Sequence, residues 1–292
     1  MALISGLSFI ASLYLAATLV LTYLVQRYPR KPVHDPPDWG YVEDLRLTAV
    51  DGGFIEVWRI RPDGPTCGTV LFMHGWGRNR DRMVARARLF ARWGFTAVIH
   101  SARDHGNSSP SPMMNIMKFA QDIETVLRWL NESVILYGHS AGSGAALIAA
   151  TRQPDRIQLL FLEGVFANTR EALMHLYVWA NPVFGHCFGP MILFWMNLFY
   201  RGRLQSMTPC RLARSIKIPV MLIHGAQDRR FPVRFAYALK DCFREAPVSL
   251  YVAPEAGHSD ASQTAGYLPA IQAFLEQHDA FPMESGETGH AD

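Results

Sequence analysis

The chain has 292 residues, 49% hydrophobic and 18% charged, enough to bury one large core without disulfides or metals as staples. A net charge of +3, with Lys and Arg scattered, is too mild for a nucleic-acid partner. The four cysteines, Cys67, Cys187, Cys210 and Cys242, have no paired spacing, which argues against a zinc site or a disulfide framework and predicts free thiols in a reducing compartment.

From Ala2 to Val25 no side chain is charged. That length spans a hydrocarbon core of about 30 Å. A cleaved signal peptide would carry basic residues ahead of a shorter apolar core, whereas here none comes before Arg27, so residues 1–26 are expected to be a membrane anchor. Arg27, Arg30 and Lys31 follow the span, and the positive-inside bias then keeps the C-terminal bulk in the cytoplasm. Pro29, Pro32, Pro36 and Pro37 make residues 27–41 a stiff extended linker.

A single domain is expected over residues 42–278. It opens with two alternating segments, Asp44–Val50 and Phe54–Ile60, around Asp51-Gly52-Gly53, the pattern of an antiparallel hairpin. Thr69–Met73 is a continuous apolar run of the buried, parallel type. The arginines between Arg78 and Arg92 alternate with Met83, Leu89, Phe90 and Trp93 at helical spacing and read as a solvated helix face with no ligand. A strand at Thr96–Ile99, a helix at Asn115–Leu130, a strand at Val134–Tyr137, a helix at Ala141–Thr151 and a strand at Ile157–Leu162 follow. This alternation predicts an α/β fold, a mostly parallel sheet with helices on both faces.

After the sixth strand the alternation lapses over residues 165–216, far beyond an ordinary connection of about 2 to 6 residues. The segment is rich in aromatics and broken by Pro182 and Pro190, which predicts two short helices forming a lid. Gly189–Tyr200 is too short to cross a membrane. Trp179, Phe184 and Trp195 are its candidate pocket residues, with Trp76 opposite. Strands at Val220–Ile223 and Val248–Val252 and helices at Pro232–Cys242 and Tyr267–Glu276 complete the domain, and the polar tail 279–292 is expected to be disordered.

The chemistry is concentrated at Gly138-His139-Ser140-Ala141-Gly142, a G-x-S-x-G pentapeptide between a strand and a helix, the context of a nucleophile elbow. A serine hydroxyl is a weak nucleophile and needs a base, an acid to orient it, and oxyanion donors. His258 follows the last strand and Asp228 the one before, so the chain order is Ser, Asp, His, and three strand ends converge on one crevice. The backbone N–H groups of Ala141 and of Trp76, in His74-Gly75-Trp76-Gly77, are the expected oxyanion donors. Glu163, at the end of the strand before the lid, is the rival acid. His74 and His224 read as turn hydrogen-bonders, Asp104 and His105 as loop-structural, and His139 has no assigned role.

These motifs, with Arg103-Asp104-His105-Gly106-Asn107-Ser108 and Gly257-His258, resemble an alpha/beta-hydrolase fold serine hydrolase over about Val42 to Leu275. Within that fold the chain is similar to membrane-anchored Bem46-type and lysophospholipase-like members. The resemblance implies a Ser-His-Asp triad, no cofactor and no metal, and an acyl or related bond as target. Arg103-Asp104-His105-Gly106 departs from the commoner R-G-H-G loop. The expected substrate is an apolar or lipid ester such as a monoacylglycerol or lysophospholipid. Thioester or amide cleavage and acyl transfer use the same residues, and a non-catalytic binding protein that keeps the fold is the alternative of another class.

Overall fold

The structure is a computed structural model and describes residues 2–280; from residue 281 on, the expected tail lies outside the described residues. Strands β1 (Tyr41–Thr48), β2 (Phe54–Arg61), β3 (Gly68–Met73), β4 (Phe95–His100), β5 (Val134–His139), β6 (Ile157–Glu163), β7 (Val220–Gly225) and β8 (Val248–Ala253) form one sheet in the order β1-β2-β4-β3-β5-β6-β7-β8. The β1/β2 and β2/β4 pairs are antiparallel and the others parallel. Helices α2 (Asp81–Ala91) and α9 (Tyr267–Gln277) cover one face through Met83, Phe90, Ile271 and Phe274. Helices α3 (Ile116–Leu130), α4 (Ala141–Arg152), α7 (Pro209–Ala213) and α8 (Arg234–Lys240) cover the other through Phe119, Ile123, Leu147 and Leu239. Strands covered on both sides need apolar residues at nearly every position, as the wholly buried β4, β5 and β7 have.

Between β6 and β7 lie α5 (Thr169–Ala180) and α6 (Pro182–Phe199). Asn168 and Asn181 cap them, each side chain accepting a backbone N–H of the first turn. Pro190 was expected to break this segment, yet α6 runs through it. One lost backbone hydrogen bond is offset by packing on both sides of it: Gly185 and Gly189 lie against Val178 and Met174 of α5, and Ile192 and Leu193 are buried.

The apolar N-terminal segment is a helix, α1 (Ala2–Leu24), with Ile4, Leu7, Phe9, Ile10 and Leu13 exposed. One polar stripe, Tyr14, Thr18, Thr22 and then Gln26, recurs every fourth residue and lies toward α6. Tyr14 Oη donates to the Cys187 carbonyl (2.6 Å), Trp195 Nε1 donates to Thr18 Oγ1 (3.0 Å), and Tyr200 Oη donates to Gln26 Oε1 just beyond the helix. Thr22, on the same stripe, is buried and bonds back to the Thr18 carbonyl (2.7 Å).

The linker is extended, and it lies along the domain instead of standing free. Arg30 donates to the Ser108 carbonyl (2.8 Å) and pairs with Asp104 (3.3 Å), Asn79 Nδ2 donates to the Pro32 carbonyl (2.8 Å), and His34 meets Asp81 (2.7 Å).

Two further expectations are corrected. Cys210 of α7 and Cys242 after α8 form a disulfide with Cα atoms 5.1 Å apart, while Cys67 and Cys187 are free and exposed. A separation of 32 residues gives no cue to that pairing; only the packing of α7 on α8 brings the two together. The arginines from Arg78 to Arg92 are not one solvated face either. Arg80 is buried over the Trp58 ring (3.7 Å) and paired with Asp44 (2.8 Å), and Arg86 is buried against Glu163.

Candidate active site

Ser140 occupies the turn from β5 into α4 with φ 56° and ψ −118°, a backbone conformation unusual for a side-chain-bearing residue. The turn is held by Ser140 N–H donating to the Glu163 carbonyl (2.8 Å) and by Ser143 Oγ donating to the Ser140 carbonyl (2.6 Å). Both flanking glycines are required by space. A Cβ on Gly138 would lie 2.4 Å from the Gly142 oxygen, and one on Gly142 would lie 2.6 Å from the carbonyl oxygens of Met73 and His74.

The structure brings Ser140, His258 and Asp228 together. His258 Nε2 lies 2.9 Å from Ser140 Oγ and its Nδ1 lies 2.6 Å from Asp228 Oδ2. The other carboxylate oxygen, Oδ1, accepts the N–H groups of Arg230 (2.8 Å) and Phe231 (3.0 Å), which fixes its plane. Burial alone would raise the Asp228 pKa, but the hydrogen bond and charge of His258, with help from the Phe231 N–H, outweigh it and hold the carboxyl below its ordinary range. Asp228 is therefore ionised at neutral pH, and the hydrogen it accepts is on Nδ1, leaving Nε2 free to take the serine proton.

Glu163 is elsewhere engaged. Its carboxylate receives Arg86 Nε and Nη2 (2.5 Å each) and Tyr137 Oη (2.6 Å), and the guanidinium lowers its pKa to about 2 in spite of burial. Arg86 Nη2 also donates to the Ser259 carbonyl (3.1 Å), so this buried pair props the loop that carries His258.

A Cβ on Gly75 would lie 3.0 Å from Ser140 Cβ, which brings the His74–Gly77 loop beside the nucleophile. No acceptor among the described residues takes the N–H of Trp76 or of Ala141. The loop is held from behind: Gly77 N–H donates to His105 Nε2 (3.1 Å), and His74 Nε2 accepts the Ala102 N–H (2.9 Å). Burial lowers the pKa of both imidazoles, which keeps them neutral and able to accept. His224 Nε2 donates to the Phe231 carbonyl (2.7 Å), and Asp104 pairs with Arg30 of the linker.

His139, without a role in the sequence, donates through Nε2 to the His258 carbonyl (3.1 Å), and burial pushes its pKa down to about 3. It is a neutral prop for the loop, and its elbow position, variable in character, gave no signal.

Ser140 and Ala141 open into an apolar cavity of about 190 Å³. Its walls are Trp76 and Phe231, the lid residues Leu173, Leu176, Tyr177 and Met196, and Val25 and Gln26 at the end of α1. Of the lid aromatics named from sequence, Phe184 and Trp195 do not line it. Phe184 packs edge-on to Tyr177 and against Phe188, and Trp195 turns to Thr18 of α1. Trp179 lines a second cavity, on the His258 side.

Residues 64–207 match the family described as serine aminopeptidase, S33, a stretch holding the elbow and the His74 loop but ending before Asp228 and His258. Superposition on an esterase of Pyrococcus furiosus gives a TM-score of 0.67 at 18% identity, covering 86% of this chain and 98% of that one. The chain has the alpha/beta-hydrolase fold. A second neighbour, a bacterial membrane phospholipase A, matches at a TM-score of 0.60 and 16% identity over 95% of this chain and 96% of that one. At such identities the likeness speaks for the fold alone. In sequence the hydrolase is similar to protein bem46 of Schizosaccharomyces pombe, 24% identical over 219 residues, 72% of this chain and 68% of that one. Over a shorter stretch it is similar to a putative esterase/lipase of Haemophilus influenzae, 33% identical over 94 residues, 32% of each chain.

Proposed function

We propose that the hydrolase cleaves carboxylic esters of apolar or lipid acyl groups through Ser140, His258 and Asp228. The observation that carries this reading is the hydrogen-bonded relay, 2.9 Å and 2.6 Å long, standing at the mouth of an apolar cavity. Ser140 Oγ attacks the ester carbonyl while His258 Nε2 takes its proton, and Asp228 stabilises the imidazolium. The Trp76 and Ala141 N–H groups receive the oxyanion. Collapse breaks the bond to the alcohol, which leaves with the proton from Nε2. Water deprotonated by the same imidazole then attacks the acyl-enzyme and releases the acid.

A membrane anchor whose last turn lines the acyl cavity supports a substrate drawn from a bilayer. Thioesters and amides would meet the same groups; the apolar cavity favours the ester of a long chain. Anchoring through α1 belongs to this reading, with the charges of Arg27, Arg30 and Lys31 favouring the cytoplasmic side and the Cys210–Cys242 bridge an oxidising one.

The test is fluorophosphonate labelling of membranes, followed by an ester series of increasing acyl length. Wild type is expected to label and to prefer long chains, and Ser140→Ala to lose labelling and at least about a thousandfold in turnover. Turnover retained in Ser140→Ala would sink the mechanism.

A further inference from the structure

His258 divides the site into two sides. Ser140 and the apolar cavity lie on one; on the other, His258 and Asp228 form part of the wall of a second cavity of about 360 Å³. Four arginines line that second cavity, Arg78, Arg82, Arg229 and Arg230, against two carboxylates, Asp228 and Asp260. Asp228 is already held by His258 (2.6 Å). Among the described residues no carboxylate lies within ion-pair distance of any of the four guanidinium groups. Arg82 Nε is buried without a hydrogen-bond partner. The positions are fixed by the fold: Arg82 Nη2 donates to the Ser259 carbonyl (3.2 Å), Arg230 lies over the Trp179 ring (5.2 Å), and its N–H binds Asp228. A further cavity shares Arg78, Arg82 and Ser259 and extends the basic wall to Lys31, the last cation of the anchor's flank.

The chemistry of the relay decides what this cavity faces. In ester cleavage His258 Nε2 hands its proton to the departing oxygen, so the alcohol half of the substrate stands on the His258 side while the acyl half fills the cavity at Ser140. An excess of guanidinium groups over carboxylates, each guanidinium able to fork two N–H donors onto one group, suits a phosphate oxygen pair.

We infer that the second cavity is the subsite for an alcohol half that carries a phosphate, so that the preferred substrate is a single-chain acyl ester of a glycerophosphate type. This rests on the proposed ester hydrolysis. Arg229 and Arg230 carry the recognition that can be altered without touching the His258 loop, because Arg82 supports Ser259 and Arg78 belongs to the segment following the oxyanion loop.

The experiment compares the full chain in neutral detergent micelles on two substrates that differ only in the headgroup, 1-palmitoylglycerol and 1-palmitoylglycerol 3-phosphate, at equal surface fraction. The phosphate ester is expected to show about tenfold higher kcat/KM, carried mainly by KM, and the preference to shrink in high salt. In Arg229→Gln/Arg230→Gln the ratio between the two substrates is expected to fall towards one, and free glycerol 3-phosphate to compete in wild type but not in the double variant. A native ratio of one or below, or a ratio unchanged in the double variant, overturns the inference. If wild type hydrolyses neither ester and Ser140 does not label, ester hydrolysis itself has failed; turnover of both esters with no headgroup preference removes only the subsite.

Discussion

Ser140, with its positive φ, stands on a turn that the neighbouring glycines alone make room for, and the side chains that support it are mostly buried charge and neutral imidazole. The Arg86–Glu163 pair is the most exacting of these, since both partners are almost wholly buried. Removing one charge leaves the other uncompensated, so Glu163→Gln is expected to cost about 3 kcal/mol at neutral pH. Because the Glu163 pKa is depressed to about 2 in the folded chain, its contribution is complete above the unfolded value and is lost as pH falls through the folded one. Thermal unfolding of wild type and variant should therefore differ by a constant amount from pH 7 to about 5 and converge as acid approaches pH 2. A gap independent of pH would show that packing, not charge, sets the cost.

At this scale the sequence was legible where a residue type is tied to a turn. Ser140 is marked by its pentapeptide, and Asp228 and His258 each follow an apolar strand. Arg86, His139 and the pairing of Glu163 were not legible, because their partners lie 77 or more residues away and nothing local distinguishes a buried arginine from a solvated one. The helical spacing around Arg86 was correctly apolar; what it could not tell was that two of its cations turn inward.

Among the elements, α1 is the one whose pattern carries most information. Its apolar length is that of a membrane span, and the four-residue recurrence of Tyr14, Thr18, Thr22 and Gln26 marks the side that meets protein. Such polar contacts in a lipid setting contribute roughly 0.6 kcal/mol each. Thr18→Val with Gln26→Leu is expected to lower stability in detergent by about 1 kcal/mol and the melting midpoint by a few degrees. The same double variant should blunt the acyl-length preference, since Gln26 lines the acyl cavity. An ester-series profile identical to wild type would show that α1 is only a tether. The lid was legible as two helices interrupting the strand–helix alternation, but the passage of α6 through Pro190 was not, because a proline inside a helix is tolerated only where tertiary contacts make up for it.

For the molecule as a whole, the mostly parallel sheet with helices on both faces follows from strands that are apolar at nearly every position, and it was legible for that reason. The Cys210–Cys242 bridge was not, since it depends on how α7 and α8 meet. It ties the C-terminal end of the lid region to the domain, leaving α5 and α6 held by packing and by hydrogen bonds such as Trp195 to Thr18 and His175 to the Arg229 carbonyl. In protein prepared without reductant, alkylation is expected to modify Cys67 and to spare Cys210 and Cys242. Modification of both in freshly lysed cells would place the domain in a reducing compartment, where the charges after α1 direct it.

Val25 and Gln26, just past α1, form a wall of the apolar cavity, and the linker beyond them is pinned along the domain by Arg30, Asn79 and His34. With α1 in a bilayer and Ser140 acting on a lipid ester, as proposed, helix and serine keep a fixed height relative to each other, and the site samples a two-dimensional solution. What governs its occupancy is the mole fraction of substrate in the leaflet: inert lipid dilutes the substrate as water dilutes a soluble one, whatever the bulk amount.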